Sequence, residues 1–425
     1  MDISSGSVPA SRSQGRPSRR RVGLLGGTTT AGDCALAARF LVRSDDLIDG
    51  DSIRAYEKAF AEFVGVDHAF SFAAGRVGLF GLLRALGIGE GDDVLLQVPT
   101  HIVVANAITY TGARPVYVDC RLDTYNIDLE DAERRITPKT RALVLQHTFG
   151  IPADLAGAAE FADRHELVLI EDCVHSLGAT FTGKQAGSFG RAAFFSTEET
   201  KTISTTMGGM VVTDDAELAA DLARFQDSCS PPPPGLVRRY LAKLISYHVL
   251  TEPHVHRYSR PLYELAGQRQ PLPRPTTAEE LRGLRPPAYE RRFSNAQAAV
   301  GLRQLRRLEE NLAHRRSVSA AYRERLAGSA VRVPDWPTQA EPAFVRYPIW
   351  VEDRAAAERK VRPHAVLGTW FTSVLEEAST PSVGRYEAGS CERAEAAARH
   401  LVNLPTHLRV TPDDVEAITA ALATA

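Results

Sequence analysis

Seven short apolar runs between residues 68 and 213 constrain this chain more than any other feature: HAFSF (68–72), DVLLQV (93–98), PVYVD (115–119), ALVLQH (142–147), LVLIED (167–172), AAFFS (192–196) and GMVVT (209–213). They are continuous rather than alternating, as expected when both faces of a sheet are covered. Helical periods lie between several of them, such as VGLFGLLRALG (77–87) and LAGAAEFADRH (155–165). Strand and helix in alternation predict an α/β domain with a mostly parallel, doubly wound sheet of about seven strands. Ligands of such sheets gather at the carboxyl ends of the strands.

That rule gathers scattered residues into one place. Gly75 and Arg76 follow the first run and open a helix, whose free N–H groups make a phosphate seat. His101 follows the second run, Asp172 ends the fifth with His175 three residues on, and Ser196 ends the sixth. Lys201 stands alone among hydroxyls in FFSTEETKTISTTMGGMVVTDD (194–215). Taken singly, each has an ordinary reading. Asp172 would be a strand-end cap, Ser196 a satisfied hydroxyl, His175 a hydrogen-bonded core histidine, and His101 and Lys201 solvated side chains. Taken together they supply what pyridoxal 5′-phosphate needs: an amine for its aldehyde, a carboxylate for its ring nitrogen, a flat ring to stack, and a phosphate seat.

The rest of the chain divides around that domain. Its 425 residues suggest more than one domain. Residues 1–20, rich in Ser and Arg, are expected to be a disordered tail. Residues 21–228 would form the large cofactor-binding domain with an N-terminal arm. VGLLGGTTTAG (22–32) lacks the glycine spacing and the preceding strand of a dinucleotide loop. Residues 229–292 form a Pro-rich insert, with 11 of the chain's 25 prolines falling in 229–290. Within it, LVRRYLAKLISYHVL (236–250) has apolar positions 237, 241, 244, 245 and 249 on one helical face, expected to pack on the protein's own body rather than on a membrane. Residues 293–425 would hold a long linking helix, opened by a Ser294–Gln297 capping box and running to about Leu326, and a small α+β C-terminal domain with FVRYPIWV (344–351) as a strand.

Composition removes other classes. A net charge of -2 gives no whole-protein drive towards nucleic acid or anionic membrane. No apolar run is long enough to span a bilayer, and no signal peptide is visible. Five scattered cysteines fit reduced thiols in a cytoplasmic protein. The histidines of HVLTEPHVH (248–256) lack a supporting ligand array, so no metal is expected.

The chain resembles the DegT/DnrJ/EryC1/StrS aminotransferases over about residues 45–425. The resemblance rests on RALGIGEGDDVLLQVPTHIVVANAITYTGARPVYVDC (84–120), TYNID (124–128), IEDCVHSLGATFTGKQAGSFG (170–190), the lysine segment, SNAQAAVGLRQLRRLEEN (294–311) and NLPTHLRVTPDDVEAI (403–418). It implies the aspartate-aminotransferase type fold (fold type I), a homodimer with shared active sites, and transfer of an amino group from glutamate or glutamine to a keto sugar, nucleotide-linked sugar or cyclitol. It also implies that Lys201 is the Schiff-base lysine, that Asp172 partners the pyridine nitrogen, and that His175 contacts the phenolic oxygen. Ser196, Gly75 and Arg76 fall at the phosphate, and His101 falls where a stacked ring belongs.

Departures from the pattern stand beside these matches. The usual Ser-Gly-Thr turn reads Ala74-Gly75-Arg76, and the usual Tyr-Asn-Tyr-Arg reads Tyr289-Glu290-Arg291-Arg292. A carboxylate at Glu290 would repel phosphate. Two alternatives remain: another reaction of the same cofactor, such as a condensation or cyclisation, and a cofactor-binding regulator without catalysis.

Overall fold

The computed structural model describes residues 20–24, 27–43, 46–269, 275–380 and 382–423. The expected N-terminal tail, apart from Arg20, lies outside them. All seven apolar runs form strands, labelled β1 (His68–Phe72), β2 (Asp93–Gln97), β3 (Arg114–Val118), β4 (Thr140–Gln146), β5 (Val168–Asp172), β6 (Ala192–Ser196) and β7 (Gly209–Thr213). They make one sheet in the order β1-β7-β6-β5-β4-β2-β3. Only β7 runs against the rest, pairing antiparallel with β1 and β6. A reversed β7 lets the chain return beside β6 through a short loop, and that loop carries Lys201.

Both sheet faces are covered, which explains the continuous apolar runs. On one face Val94, Leu96, Val144, Ile170 and Phe194 pack with Leu79, Leu82 and Leu83 of the helix Gly75–Ala85 and with Leu218 and Leu222 of Ala216–Ser228. On the other, Ala193, Phe195, Met210 and Val212 meet Tyr56, Phe60 and Val64 of the helix Ser52–Val64. Each fully buried Leu or Phe of this kind contributes about 1.5–3 kcal/mol.

The helix expected from residue 77 begins at Gly75, two residues earlier, because Ala74 is extended (φ -159°) and serves as its cap. The helix expected from Ser294 is two helices, Asn295–Leu305 and Leu308–Leu326, interrupted where Arg307 leaves helical geometry (φ -116°, ψ 10°). Ser294 does cap the first of them, accepting from the Gln297 amide at 3.4 Å. The Gln297 side chain does not complete the box, because its Oε1 accepts from the Ser294 hydroxyl at 2.8 Å instead of the Ser294 amide, while its Nε2 donates to the carbonyls of Thr205 and Met207 behind the lysine loop.

In the Pro-rich region, Pro234–Leu250 is a helix whose Val237, Leu241 and Leu244 pack against Ala37, Phe40 and Leu47 near the N-terminus and Ala296 and Val300. Val249 departs from the expected stripe and is 52% exposed, because the buried contact ends a turn earlier. The C-terminal region pairs β8 (Tyr347–Trp350) antiparallel with β9 (Leu401–Leu404) under the helices Leu308–Leu326 and Pro412–Ala423. The stretch 22–24 is tied to this region through a bridge between Val22 and Ala365, and Arg20 binds the Arg409 carbonyl and Asp414. No helix among the described residues is long and apolar enough to cross a membrane.

Candidate active site

A cavity of about 290 Å³ opens at the carboxyl ends of the parallel strands, and every residue singled out in the sequence lines it: Gly75, Arg76, His101, Asp172, His175, Ser196 and Lys201.

Asp172 ends β5 fully buried. Its Oδ1 accepts from the Val174 amide at 3.1 Å, while Oδ2 is buried without a partner among the described residues. Burial pushes its pKa up to about 6, against the opposing pull of the Val174 amide, Lys201 and His147. An uncompensated carboxylate oxygen facing a cavity is the complement of a cationic N–H. Lys201 is 8% exposed, and burial lowers its pKa to about 8, opposed by Glu198 and Asp172 and reinforced by Arg346. Its Nζ lies over the Trp370 indole, 4.5 Å from the ring centroid.

His175 stacks on Trp370 at 5.0 Å and 25°. Its Nδ1 accepts from the Phe149 amide at 3.3 Å, and burial drives its pKa far down, so the ring is neutral. His101 caps the helix Ile102–Tyr110 through Nδ1, with Nε2 3.3 Å from Glu377. It therefore enters the cavity wall as a hydrogen-bonded ring, not as a solvated side chain.

At the other end, the backbone sets the geometry. A Cβ on Gly75 would meet the Phe195 carbonyl at 2.9 Å, and one on Gly209 would meet the Gly75 nitrogen at 2.3 Å, so three chain segments approach closely here. The helix Gly75–Ala85 has no side-chain cap, and the amides of Gly75 and Arg76 have no acceptor among the described residues. Ser196 Oγ accepts from the Glu198 amide at 3.3 Å and keeps its own proton to give. Arg76 does not swing into solvent. Its Nε lies 2.5 Å from Glu280 Oε1, and its Nη2 donates to Glu280 Oε2 (3.2 Å) and to the Pro275 carbonyl (2.9 Å). Glu290 turns to Arg285 in an ion pair, so its carboxylate is neutralised there.

These features fit a flat cofactor with a protonated ring nitrogen at one end and a phosphate at the other. Asp172 offers an unpartnered oxygen to the first, and free N–H groups with Ser196 suit the second.

Two cavity groups escaped the sequence reading, Trp370 and Arg346 of the C-terminal region, and so did Glu280, which holds Arg76 from just outside the cavity. Arg346 had one signal, a charge inside the apolar strand FVRYPIWV. One further cluster, His147, Glu171 and Cys173, has metal-like spacing beneath the site. Glu171, however, already accepts from His147 and from the amides of Gly187, Phe189 and Gly190, all at 3.0 Å or less. Burial opposes its charge, yet these bonds hold its carboxyl below the usual value. The cluster is a brace for the turn after β5.

Comparison with known proteins agrees with this geometry. The profile of the DegT/DnrJ/EryC1/StrS aminotransferase family matches residues 31–423. GDP-perosamine synthase of Caulobacter vibrioides is 32% identical over 378 residues, covering 88% of this chain and 90% of that protein. The spore coat polysaccharide biosynthesis protein SpsC of Bacillus subtilis is 32% identical over 279 residues, 65% of this chain and 62% of that one. Among solved structures, DesV of S. venezuelae superposes with a TM-score of 0.73 at 27% identity, covering 93% of this chain and 94% of DesV. The chain belongs to the DegT/DnrJ/EryC1/StrS aminotransferase family and is a pyridoxal phosphate-dependent aminotransferase.

Proposed function

We propose that this enzyme moves an amino group from an amino acid, glutamate or glutamine, to a keto group on a nucleotide-linked sugar, a free sugar or a cyclitol. The sugar class is suggested by GDP-perosamine synthase, similar along nearly its whole length. The observation that carries the chemistry is the pairing of Lys201, with a pKa near 8, and Asp172, with an unpartnered Oδ2, in one cavity.

Pyridoxal phosphate, when bound, supplies a carbonyl for the amino group and an electron-withdrawing ring for the electrons left at the substrate Cα. Asp172 Oδ2 would accept the ring N–H and keep that nitrogen protonated. The amides of Gly75 and Arg76 and the Ser196 hydroxyl would hold the phosphate. His175, neutral and with Nδ1 already engaged, has Nε2–H left to donate to the phenolic oxygen. Lys201 Nζ would take the proton from the donor Cα and later give one to the acceptor carbon, a task for which a base near ambient pH is suited. Trp370 covers that amine and excludes water. His101, hydrogen-bonded through Nδ1 and with Nε2 beside Glu377, would lay its ring against the cofactor.

We read the domain limits as 21–228 for the cofactor, 229–292 shaping the acceptor wall and the subunit boundary, and 293–425 closing the site. We expect a homodimer in the cytoplasm, with 289–294 at the shared site. Light scattering on active enzyme tests assembly, and an active monomer would overturn it. For the reaction, the protein is loaded with amino groups from glutamate and screened against keto compounds for return of the lysine-bound absorbance. Return with keto sugars and not with simple keto acids alone is expected. Failure with every sugar and cyclitol would remove the acceptor class.

A further inference from the structure

Arg346 is the most anomalous group in the cavity. It is 4% exposed, its Nε is buried with no acceptor, and no hydrogen bond or ion pair reaches any of its nitrogens among the described residues. Its guanidinium carbon lies over Trp370, 3.6 Å from the ring centroid. Burial lowers its pKa to about 10, with Glu198 and Glu376 pulling the other way. Neither carboxylate reaches it. Glu198 Oε2 is held by the amide and hydroxyl of Thr200 at 3.0 and 2.7 Å, and Glu376 Oε2 by the amide and hydroxyl of Thr372 at 2.6 and 2.9 Å. A buried cation that no acceptor contacts directly is costly, so a protein that keeps one in a cavity keeps it for an anion that arrives later.

We infer that Arg346 is the seat for the α-carboxylate of the amino-acid donor. This rests on the function proposed above. A guanidinium presents parallel N–H groups that match a carboxylate in a two-point contact. The Arg346 guanidinium carbon and the Lys201 amine lie 3.6 and 4.5 Å from the same ring centroid, that of Trp370. An α-amino acid carries its amine and its carboxylate on the same carbon, so a donor nitrogen brought to the place of Nζ brings an anion to the guanidinium. A nucleotide-linked sugar has its phosphates several bonds from its keto carbon, and a neutral sugar or cyclitol has no anion at all. The cofactor phosphate has its own seat at Gly75, where the cation is Arg76, already paired with Glu280. The seat would thus sort the two half-reactions: the donor uses it, and the sugar acceptor passes it by.

The test uses holoenzyme carrying Arg346→Gln, with Arg346→Lys as the charge-keeping companion. Three quantities are read: the lysine-bound absorbance, binding of glutarate as a carboxylate probe, and single-turnover rates. With L-glutamate, kcat/KM should fall about 100-fold or more in Arg346→Gln, with a smaller loss in Arg346→Lys. Glutarate should weaken in step, while the absorbance persists. Enzyme loaded directly with pyridoxamine 5′-phosphate should return with the keto sugar at a rate within threefold of wild type, yet react slowly with 2-oxoglutarate. Glutamate and glutarate unchanged would overturn the seat. Loss confined to the keto sugar would give the seat to an acceptor anion, and equal loss in both halves, or loss of absorbance in both variants, would make Arg346 merely structural. Should wild type react with no keto sugar, the function proposed above fails, while glutamate and glutarate still decide the seat.

Discussion

Arg76 and Arg346 line the same cavity in opposite circumstances. Arg76, at the helix end, is clasped by Glu280 through two of its nitrogens, and Glu280 is itself fixed by the Thr277 amide at 2.9 Å. Arg346, at the lysine end, has an indole ring and no acceptor among the described residues. The first cation is compensated within the fold and can hold structure without a ligand. The second has carboxylates nearby, Glu198 and Glu376, but none in contact, and in a well-packed protein that condition marks a group whose partner comes from outside. The clasp also ties residues 275–280 to the helix that opens at the phosphate seat, joined by Asn106 donating to the Glu280 carbonyl at 2.8 Å and the Tyr289 hydroxyl donating to the Arg76 carbonyl at 2.9 Å.

The largest effect should come at the lysine end. Lys201→Ala should abolish the lysine-bound absorbance and lower turnover by about 10,000-fold or more, as expected for loss of a positioned base. An unchanged spectrum would dissolve the contrast between the two ends. Next comes Asp172→Asn, which keeps shape but removes the charge facing the ring nitrogen. The cofactor should still bind, more weakly, and the glutamate half-reaction should slow by about 100- to 1,000-fold. Near-normal rates would move the ring partner elsewhere.

A smaller effect, but the sharpest test of the contrast, is stability without cofactor. Glu280→Gln should destabilise by about 3 kcal/mol in denaturant titration, because it strands a nearly buried guanidinium. Arg346→Met should be neutral or stabilising by about 1 kcal/mol, because it removes a charge with no partner. The same sign for both variants would erase the distinction. The smallest expected change is in titration. Lys201 near 8 is protonated below that pH, so the rate of cofactor capture by the apoenzyme should climb as pH rises through about 8. Arg346 helps depress that value, so Arg346→Met should shift the midpoint upwards. A midpoint that stays put would place Arg346 too far away to act as proposed.

Much of this was legible in one dimension. All seven strands were, because a covered sheet demands continuous apolar runs, and Asp172, Ser196 and Lys201 followed from the rule about strand ends. The break at Arg307 was not, since the leucine stripe persists on both sides of it. Nor was the direction of Arg76, since the nearby sequence offers it either a phosphate or solvent and says nothing of a carboxylate 204 positions away.

The order of residues alone therefore determined the sheet, the strand-end placement of the lysine and its acidic partner, and the family. Periodicity and local spacing encode these because hydrophobic burial and strand-to-helix turns act over a few residues. Tertiary structure alone decided which charges are compensated. Whether an arginine meets a carboxylate or an empty cavity depends on chain segments brought together from far apart, and electrostatic interaction depends on that distance and on burial. Arg76 and Arg346 are the same residue in the sequence, and only the fold makes one a clasp and the other a seat.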